Sequence, residues 1–223
     1  EWMLENLKTT KYNDGTSIPR VTVDDDWTAL TTGARSEYNN DASSESDTYG
    51  YLYNWYAVDT GNLAPEGWHV PTDDEFKQLE KELGMSESES NGTFYRGTDE
   101  GAKLAGRADL WDDGDLDSNS EFGSSGFNIL PGGVRFHYGT YSHIGARSYF
   151  WVTTEHDVND SWYRGLISSS PKMFRSDSDK NGGLYVRCVR DTTAWNTLYG
   201  GVWNLGSLVA WEDLDKHNWE DWN

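Results

Sequence analysis

The fold is decided by residues 65–84, which read PEGWHVPTDDEFKQLEKELG. A short extended segment at 68–70 is followed by Pro71, which lacks a backbone N–H and therefore ends the strand. A helix is predicted to begin at once, because Thr72 is a favoured N-cap residue and Glu75, three positions later, completes a capping box. The stretch thus predicts a strand-to-helix turn.

The second half of the same stretch predicts which side of the helix is buried. Phe76, Leu79 and Leu83 recur at three- and four-residue steps, so they lie on one face of a helix. Gly84 follows them and is the residue type that most often ends a helix in the left-handed conformation. These residues predict a packed domain, but they do not indicate a function.

The composition narrows the class of protein. The 223 residues include 12 Trp, 13 Tyr and 7 Phe, so large rings are expected to build the core. The formal net charge of −20 disfavours nucleic acid and anionic membranes as partners, because their phosphates would repel the chain. No run approaches the ~20 apolar residues of a membrane-spanning helix, so no membrane insertion is expected. The sequence starts at Glu1 within a patterned segment, so the natural N-terminus is expected to precede it.

Turn and strand signals predict the remaining elements. In the first half they predict a turn at 12–15 closing a hairpin onto 17–23, a surface loop at 24–47, a strand at 49–58, a loop at 86–96 and a helix at 98–105 capped by Thr98. In the second half they predict a strand at 127–136 that is broken by Pro131 and the two glycines after it, and an antiparallel meander of short strands at 148–154, 161–167, 173–175 and 184–190. Period-two alternation places Leu184, Val186 and Cys188 on one face of the last strand.

Residues 192–223 follow a different pattern. Tryptophans recur every eight residues, at Trp195, Trp203, Trp211 and Trp219. This even step places the rings on one face of an extended chain, whereas on a helix it would rotate them by about 80° each time. The tail is therefore predicted to be extended or built from small turn units, and to dock on a partner or a neighbouring subunit.

Five segments of the chain resemble one family, in the same order along the sequence. They are residues 2–15, 49–58, 65–72, 125–133 and 186–191. The family is the Fibrobacter succinogenes major paralogous domain, and the resemblance covers residues 1–191 but not the tail. It implies an α+β, C-type-lectin-like fold related to the formylglycine-generating enzyme group. Two helices would then flank a small twisted antiparallel sheet with long loops.

One position departs from the family pattern. Members commonly carry a cysteine just before the block that begins at Pro65, and the resemblance implies that it pairs with the cysteine of the last strand. Ala64 occupies this position here and leaves Cys188 as the single cysteine, expected to be a buried, inert thiol. Enzymes of the formylglycine-generating group need two active-site cysteines, so the sequence disfavours that activity. The histidines show no zinc-ligand spacing, and His69 is expected to make a structural hydrogen bond.

The acidic run at 112–121 is the best candidate metal site in the sequence. Its oxygen-bearing side chains alternate at Asp113, Asp115, Asp117, Asn119 and Glu121. In a curled loop several of these oxygens would converge on Ca²⁺, although the glycine and the final glutamate do not fall at EF-hand offsets. A solvated acidic loop is the competing interpretation, and the pattern leaves both open.

The C-terminal half has the composition of a recognition surface. Tyr, Trp, Ser, Asn and Gly dominate its loops, a mixture that gives contact area at a low entropic cost. Alternation along the strands turns some of these rings into the core, so only part of the set is expected to face a ligand. The candidates are Tyr138, Tyr141, His143, Arg147, Tyr149, Glu155, His156, Asn159, Trp162 and Tyr163.

Composition and resemblance together favour a non-enzymatic module that is displayed on a bacterial cell surface or secreted. It would recognise a protein or a glycan through loops of its C-terminal half, as an adhesin does. A phage virion protein, such as a fibre or decoration subunit, is the alternative, because short tryptophan repeats suit assembly contacts. An enzyme of the formylglycine-generating group is a third hypothesis, disfavoured by the single cysteine.

Overall fold

The computed structural model of the chain describes residues 1–42 and 44–191. The tryptophan repeat of the tail lies outside these residues, so its extended, docking role stays a prediction. In the described ranges no helix is both long enough and apolar enough to cross a membrane. The helices are α1 (Asp24–Thr28), α2 (Glu45–Tyr49), α3 (Trp55–Asp59), α4 (Asp73–Glu82), α5 (Glu87–Ser90) and α6 (Glu100–Leu104). The strands are β1 (Arg35–Ser36), β2 (Leu52–Tyr53), β3 (Trp68–His69), β4 (Phe94–Arg96), β5 (Gly132–Arg135), β6 (Tyr141–Ile144), β7 (Arg147–Glu155), β8 (Asp160–Ile167), β9 (Ser170–Asp179) and β10 (Val189–Arg190).

A six-stranded sheet organises these elements, in the order β4-β9-β8-β7-β5-β6. Strands β7, β8 and β9 confirm three strands of the predicted antiparallel meander, although β9 is longer than its predicted range. The fourth predicted strand does not join them, because β10 at its end pairs with β3 in another sheet. Strand β5 pairs in parallel with β7 through Gly133 and Ser148, which makes the sheet mixed. Two smaller sheets pair β1 with β2 and β3 with β10. The protein is therefore a mixed helix-and-strand fold with several sheets.

Helix α4 forms as its sequence predicts. The Thr72 hydroxyl accepts a hydrogen bond from the backbone N–H of Glu75 at 3.2 Å, and the Glu75 carboxylate accepts one from the backbone N–H of Thr72 at 2.8 Å. Phe76 is fully buried, and the two leucines of its stripe pack against the same core. Gly84 adopts a φ of 117° just after the helix, which confirms the predicted left-handed stop.

The predicted strand at 49–58 is wrong for most of its length. Only Leu52–Tyr53 pairs as a strand, between α2 and α3. Asn54 is the reason, because its side-chain oxygen accepts hydrogen bonds from the backbone N–H groups of Ala57 and Ala34 and so starts α3. Three of the five rings that suggested a strand lie on helices instead, Tyr49 on α2 and Trp55 and Tyr56 on α3.

The polar stretch at 24–47 is more than the predicted surface loop. It contains α1, β1 and the start of α2, and Trp27 within it is fully buried. The Trp27 indole N–H donates to the backbone oxygen of Asn181 at 2.7 Å, and its ring lies 4.2 Å from the Arg135 guanidinium. One buried tryptophan thus anchors a segment whose average composition is polar.

Two further predictions between α4 and β5 need correction. The loop predicted at 86–96 contains α5 and the edge strand β4. Helix α6 is not capped by Thr98, because the Glu100 carboxylate folds back to accept hydrogen bonds from the backbone N–H groups of Thr98 and its neighbour. Gly101 is required for packing, since a Cβ there would lie 2.6 Å from the backbone oxygen of Lys172 on β9.

Two more predictions hold only in part. The turn at 12–15 forms, but the hairpin it closes is limited to one bridge between Lys11 and Ser17. The strand predicted at 127–136 starts only at Gly132, beyond the proline that was expected to break it. In both places the turn residues are positioned correctly and the regular pairing is shorter than the pattern suggests.

The central sheet carries an apolar core on each face. Trp151 and Phe150 are neighbours on β7, and each belongs to a different buried cluster. We call the Trp151 side the front face and the Phe150 side the rear face. Leu184, Val186 and Cys188 belong to the front cluster, as their alternation predicts, although regular pairing at the end of this segment is limited to β10.

The rear face holds a network of buried charges under α4. Glu80 accepts hydrogen bonds from Arg96 at 2.6 Å and from Arg164 at 2.9 Å. Asp73 lies 2.7 Å from Arg164 and accepts two hydrogen bonds from Arg175, both at 2.9 Å. All five side chains are buried. Each has a partner of opposite sign, which offsets the cost of removing its charge from water.

Candidate functional site

A cleft opens on the front face where β5, β7, β8 and β9 come together. Its volume is about 140 Å³. Rings line it from Phe136, Tyr149 and Tyr163, and polar side chains from His137, Arg147 and Ser178. A concave site with aromatic walls and a few polar groups has the usual character of a small-ligand site.

The ring pair in the cleft depends on a glycine in the neighbouring strand. Tyr149 on β7 pairs with Gly165 on β8, and Tyr163 lies two residues before Gly165 on the same face. A Cβ at Gly165 would collide with the Tyr149 ring. Because that side chain is missing, the Tyr149 and Tyr163 rings lie side by side with their centroids 4.9 Å apart.

Aromatic rings continue from this pair across the sheet to its β4 edge. Tyr163 lies 6.1 Å from Phe174 on β9, and Phe174 lies 5.1 Å from Tyr95 and 6.1 Å from Phe94 on β4. We call Tyr149, Tyr163, Phe174, Tyr95 and Phe94 the aromatic row. Its inner end is in the cleft, and its outer end is open to solvent, with Phe94 62% and Tyr95 47% exposed.

Phe94 has an unusual backbone conformation. Its φ of 60° lies in the left-handed region, which a bulky residue rarely adopts. In a regular strand Phe94 and Tyr95 would point to opposite faces, whereas here both rings contact Phe174. The strained conformation therefore adds a second ring to the open end of the row. Strain of this kind concentrates at ligand-binding sites.

Arg147 is the partly exposed cation of the cleft, whereas Arg135, which also lines it, is fully buried. The Nη1 of Arg147 donates a hydrogen bond to the Tyr149 hydroxyl at 3.0 Å. Within residues 1–42 and 44–191 no carboxylate lies within 4.0 Å of its guanidinium, whereas Arg164 has two carboxylate partners and Arg175 has one. Arginine does not lose its proton at any physiological pH. The cleft thus presents a permanent positive charge beside neutral rings.

Three titratable groups near Arg147 are held neutral. Burial raises the pKa of the Tyr149 and Tyr163 hydroxyls, so both keep their protons. Burial, and then the charge of Arg147, lowers the pKa of His143, whose ring lies edge-on to Phe136 with centroids 5.8 Å apart. The tyrosines can therefore donate and accept hydrogen bonds beside the guanidinium.

Part of the predicted ligand-binding set meets at this cleft. Arg147, Tyr149 and Tyr163 line it, and Tyr138 stacks on its Phe136 wall with ring centroids 5.1 Å apart. His143 contacts the same wall. These residues come from the turn between β5 and β6 and from β6, β7 and β8, so the sheet brings together side chains that are up to 25 residues apart in the sequence.

The other predicted residues have different surroundings. Glu155 pairs with Lys180 at 2.6 Å, and the His156 ring lies edge-on to Trp162, which itself packs with the rear cluster. Asn159 belongs to the exposed turn between β7 and β8. The remaining residue of the set, Tyr141, donates to the side chain of Asn40 at 2.8 Å and lies below the Arg135 guanidinium.

The predicted calcium residues lie in a turn-rich segment between α6 and β5. The Asp117 carboxylate accepts a hydrogen bond from a backbone N–H three residues earlier at 2.7 Å, and Asn119 accepts one from Glu121 at 2.9 Å. Asp113 and Asp115 are exposed. In the described part of the chain no three His, Cys, Asp or Glu side chains are grouped to hold a metal ion. The calcium site stays a prediction.

Cys188 and His69 have the structural surroundings that the sequence predicts. Cys188 is fully buried in the front cluster, and burial raises the pKa of its thiol to about 12. His69 Nδ1 lies 2.6 Å from Asp191, and Nε2 lies 2.7 Å from Glu75. Burial alone would lower the pKa of His69, but its two carboxylate partners outweigh burial and raise it. His69 thus ties the α4 cap to the end of the described domain.

Sequence reasoning missed the outer half of the aromatic row. Phe94 and Tyr95 belong to a stretch that the sequence predicts as a loop, and Phe174 to a strand predicted as only three residues. A usable signal exists in β9, where Phe174 lies between the buried Met173 and Arg175 and shares its face with Ser176 and Ser178. Reading this alternation to its end predicts a longer strand with Phe174 on the cleft side.

Comparison with known proteins identifies a family. No curated protein and no solved structure matches the chain. The model of the Fibrobacter succinogenes major domain matches residues 1–190, a range that includes the cleft and the whole aromatic row. The match covers most of the 223 residues. The chain therefore belongs to the Fibrobacter succinogenes major domain family.

Proposed function

We propose that the chain is a non-enzymatic binding module that takes its ligand at the cleft and the aromatic row. The observation that carries this proposal is the solvent-exposed end of the row at Phe94 and Tyr95. Large rings left in contact with water cost free energy that a ligand would recover by covering them. Tyrosine and other aromatic side chains are also those that recognition surfaces use most.

The finer fold class that we propose is C-type-lectin-like, related to the formylglycine-generating enzyme group. The short helices around a mixed sheet support it. The pairing of the two ends of the described domain also supports it. Trp2 forms an antiparallel β-bridge with Val189, and the Arg190 backbone N–H donates to the backbone oxygen of Glu1 at 2.9 Å. Long irregular segments, such as the one between α6 and β5, are the kind of loop that this class displays.

The partner that we propose is a protein or a glycan on a cell surface, met by a secreted or surface-displayed module. The charge of −20 supports this choice, because it keeps the chain from polyphosphate partners such as nucleic acid. The buried, protonated thiol of Cys188 supports a role without nucleophilic catalysis.

A second role, in assembly, is favoured by one observation in the sequence. The tryptophans at 195, 203, 211 and 219 keep a step of eight residues, which suits repeated contacts with a neighbouring subunit. Changing all four to alanine in the full chain tests this role by solution mass. An oligomer that becomes a monomer supports it, and an unchanged mass contradicts it. Such an oligomer would also fit a phage virion subunit.

The binding function is tested by screening the full chain against glycan and protein arrays. Any ligand found is then titrated by calorimetry against the wild type, Tyr95→Ala and the control Val158→Ala. Val158 is 83% exposed on the β7–β8 turn, so its variant also removes a solvent-exposed apolar side chain. We expect Tyr95→Ala to weaken binding about tenfold and the control to leave it unchanged. The absence of any ligand on the arrays, or equal affinities of all three proteins for the ligand found, would count against the proposal.

A further inference from the structure

The surroundings of Arg147 assign a ligand class to the cleft. Arg147 is partly exposed, and its one hydrogen bond within the described residues goes to a neutral oxygen, the Tyr149 hydroxyl. The chain carries 38 acidic against 18 basic residues, so a cation without a carboxylate partner is unusual in it. An arginine in this position offers most of its donors to an incoming group.

We infer that the cleft binds a carbohydrate ring that carries a carboxylate. The carboxylate meets the Arg147 guanidinium, and the ring lies against Tyr149 and Tyr163. This inference rests on the proposed binding function and narrows its ligand from protein or glycan to an acidic sugar.

The guanidinium selects the carboxylate. Its planar fork matches the two oxygens of a carboxylate, and charge-assisted bonds of this kind are about twice as strong as neutral ones. The chain itself is strongly acidic, so a ligand with a single negative charge meets less repulsion than a phosphorylated or polyanionic one. Arg147 therefore favours one carboxylate placed locally over a run of negative charges.

The position of the cleft favours a sugar over a peptide. It lies over β7 and β8, which are interior strands already paired on both sides. An extended peptide therefore cannot add to the sheet there by backbone hydrogen bonds, the usual source of its affinity. The volume of about 140 Å³ is below the ~300–1,000 Å³ of pockets for drug-sized ligands, so it suits a single ring.

The walls of the cleft complement a sugar ring chemically. The hydroxyls of Tyr149, Tyr163 and Ser178 are neutral groups that can each donate and accept, as sugar hydroxyls also do. The aromatic faces cover the apolar side of the ring. The row then crosses four adjacent strands, a span of about 14 Å at the usual strand spacing. Further, uncharged sugar units would continue along it towards Tyr95 and Phe94.

The test compares three small probes on the full chain by NMR titration. D-glucuronate has both the ring and the carboxylate, D-glucose has only the ring, and N-acetyl-aspartate amide has a carboxylate of the peptide type. We expect glucuronate to bind at least about tenfold more tightly than either of the others, since it alone makes both sets of contacts. Its addition should also shift the Arg147 Nε–H signal.

Two variants at one position and a matched control assign the effect to Arg147. Arg147→Gln should weaken glucuronate binding about tenfold and leave glucose binding unchanged. Arg147→Lys keeps the charge but cannot donate two parallel hydrogen bonds to the carboxylate, so its affinity for glucuronate should be intermediate. Arg107→Gln removes the same charge from a side chain that is 58% exposed and paired with Asp109, and it should change nothing. Thermal melts of all three variants verify that they fold.

Several outcomes overturn the inference. Equal binding of glucuronate and glucose, no binding of any probe, or full glucuronate affinity in Arg147→Gln would each do so. Equal or tighter binding of N-acetyl-aspartate amide would indicate a peptide-type ligand instead. In all of these cases the proposed function stands if Tyr95→Ala still weakens an array ligand. If that variant also has no effect, both proposals fail.

Discussion

On the rear face of the central sheet, Arg164 and Arg175 are buried and contact Asp73 or Glu80, whereas on the front face Arg147 is partly exposed and its side chain, within the described ranges, hydrogen-bonds only to a tyrosine hydroxyl. The rear arrangement serves the stability of the fold, whereas the front one leaves donors free for binding. A buried charge is tolerated only with a partner, so the rear arginines are part of what holds α4 on the sheet. A solvent-facing guanidinium needs no partner for folding, which leaves Arg147 available to a ligand.

The largest expected effect is from removing a carboxylate of the rear network. Glu80→Ala leaves Arg96 and Arg164 buried without the oxygen atoms that accept their hydrogen bonds at 2.6 and 2.9 Å. We expect the free energy of unfolding to fall by about 3–5 kcal/mol, measured by urea titration of the full chain. Glu82→Ala is the control, because Glu82 is exposed on the same helix and its loss should cost less than about 0.5 kcal/mol. Equal stabilities for the two variants would contradict the structural role of the network.

The second prediction uses pH to detect the same network. Burial alone would raise the pKa of Asp73, but hydrogen bonds from Arg175 and the charge of Arg164 outweigh it and hold this pKa well below its usual range. A carboxyl whose pKa is lowered by folding adds stability that is fully present above its unfolded pKa of about 3.9 and is lost as pH falls through the folded value. We therefore expect Asp73→Asn to lose about 1.5–3 kcal/mol near pH 6, with the deficit shrinking below about pH 4.

Chemical denaturation at several pH values between 2 and 7 measures this convergence. Asp74→Asn is the matched control, since the Asp74 side chain is 91% exposed one residue along the helix. Its curve should run parallel to that of the wild type. A deficit of Asp73→Asn that stays constant as the pH falls would show that the ion pairs are not the source of its stability.

The third prediction concerns the front face, where shape matters more than charge. Gly165→Ala places a Cβ against the Tyr149 ring, which is already packed beside Tyr163. Forcing an extra carbon into such a contact typically costs about 1–3 kcal/mol, and moving the ring should also narrow the cleft. Unfolding and ligand titration measure the two effects. Ser161→Ala, on the same strand, is the control, because the buried Ser161 hydroxyl has no hydrogen-bond partner among the described residues and its loss should be nearly neutral. If Gly165→Ala is equally neutral, the glycine is not what makes room for the rings.

How much of the fold the sequence could predict depends on how far apart in the chain the interacting residues lie. The α4 cap lies within four residues of sequence, so the spacing of Thr72 and Glu75 was enough to predict it. The Asn54 cap could not be predicted in the same way. Its side chain accepts from Ala34, twenty residues earlier, while the aromatic residues around it have a preference for strands. At this position a tertiary hydrogen bond outweighed the local preference for a strand.

The candidate site shows the same limit. Arg147 and Tyr149 could be proposed from composition, because both lie in an aromatic, polar stretch of the C-terminal half. The meeting of Tyr163, Phe174 and Tyr95 depends on the register of three strands, which no local pattern specifies. Predictions about the loops therefore mixed residues of the cleft with others, such as Trp162, that pack on the rear face.

The smallest expected effect completes the comparison between the faces. Arg147→Gln should change the free energy of unfolding by no more than about 0.5 kcal/mol, because it removes one hydrogen bond to a hydroxyl and leaves no buried charge unpaired. Arg164→Gln should instead cost about 3–5 kcal/mol, since Glu80 and Asp73 would each lose a charged partner. Urea unfolding of the two variants side by side measures the contrast. A loss of more than about 1 kcal/mol in Arg147→Gln would mean that Arg147 serves the fold as the rear arginines do, and its assignment to a ligand would lose its support.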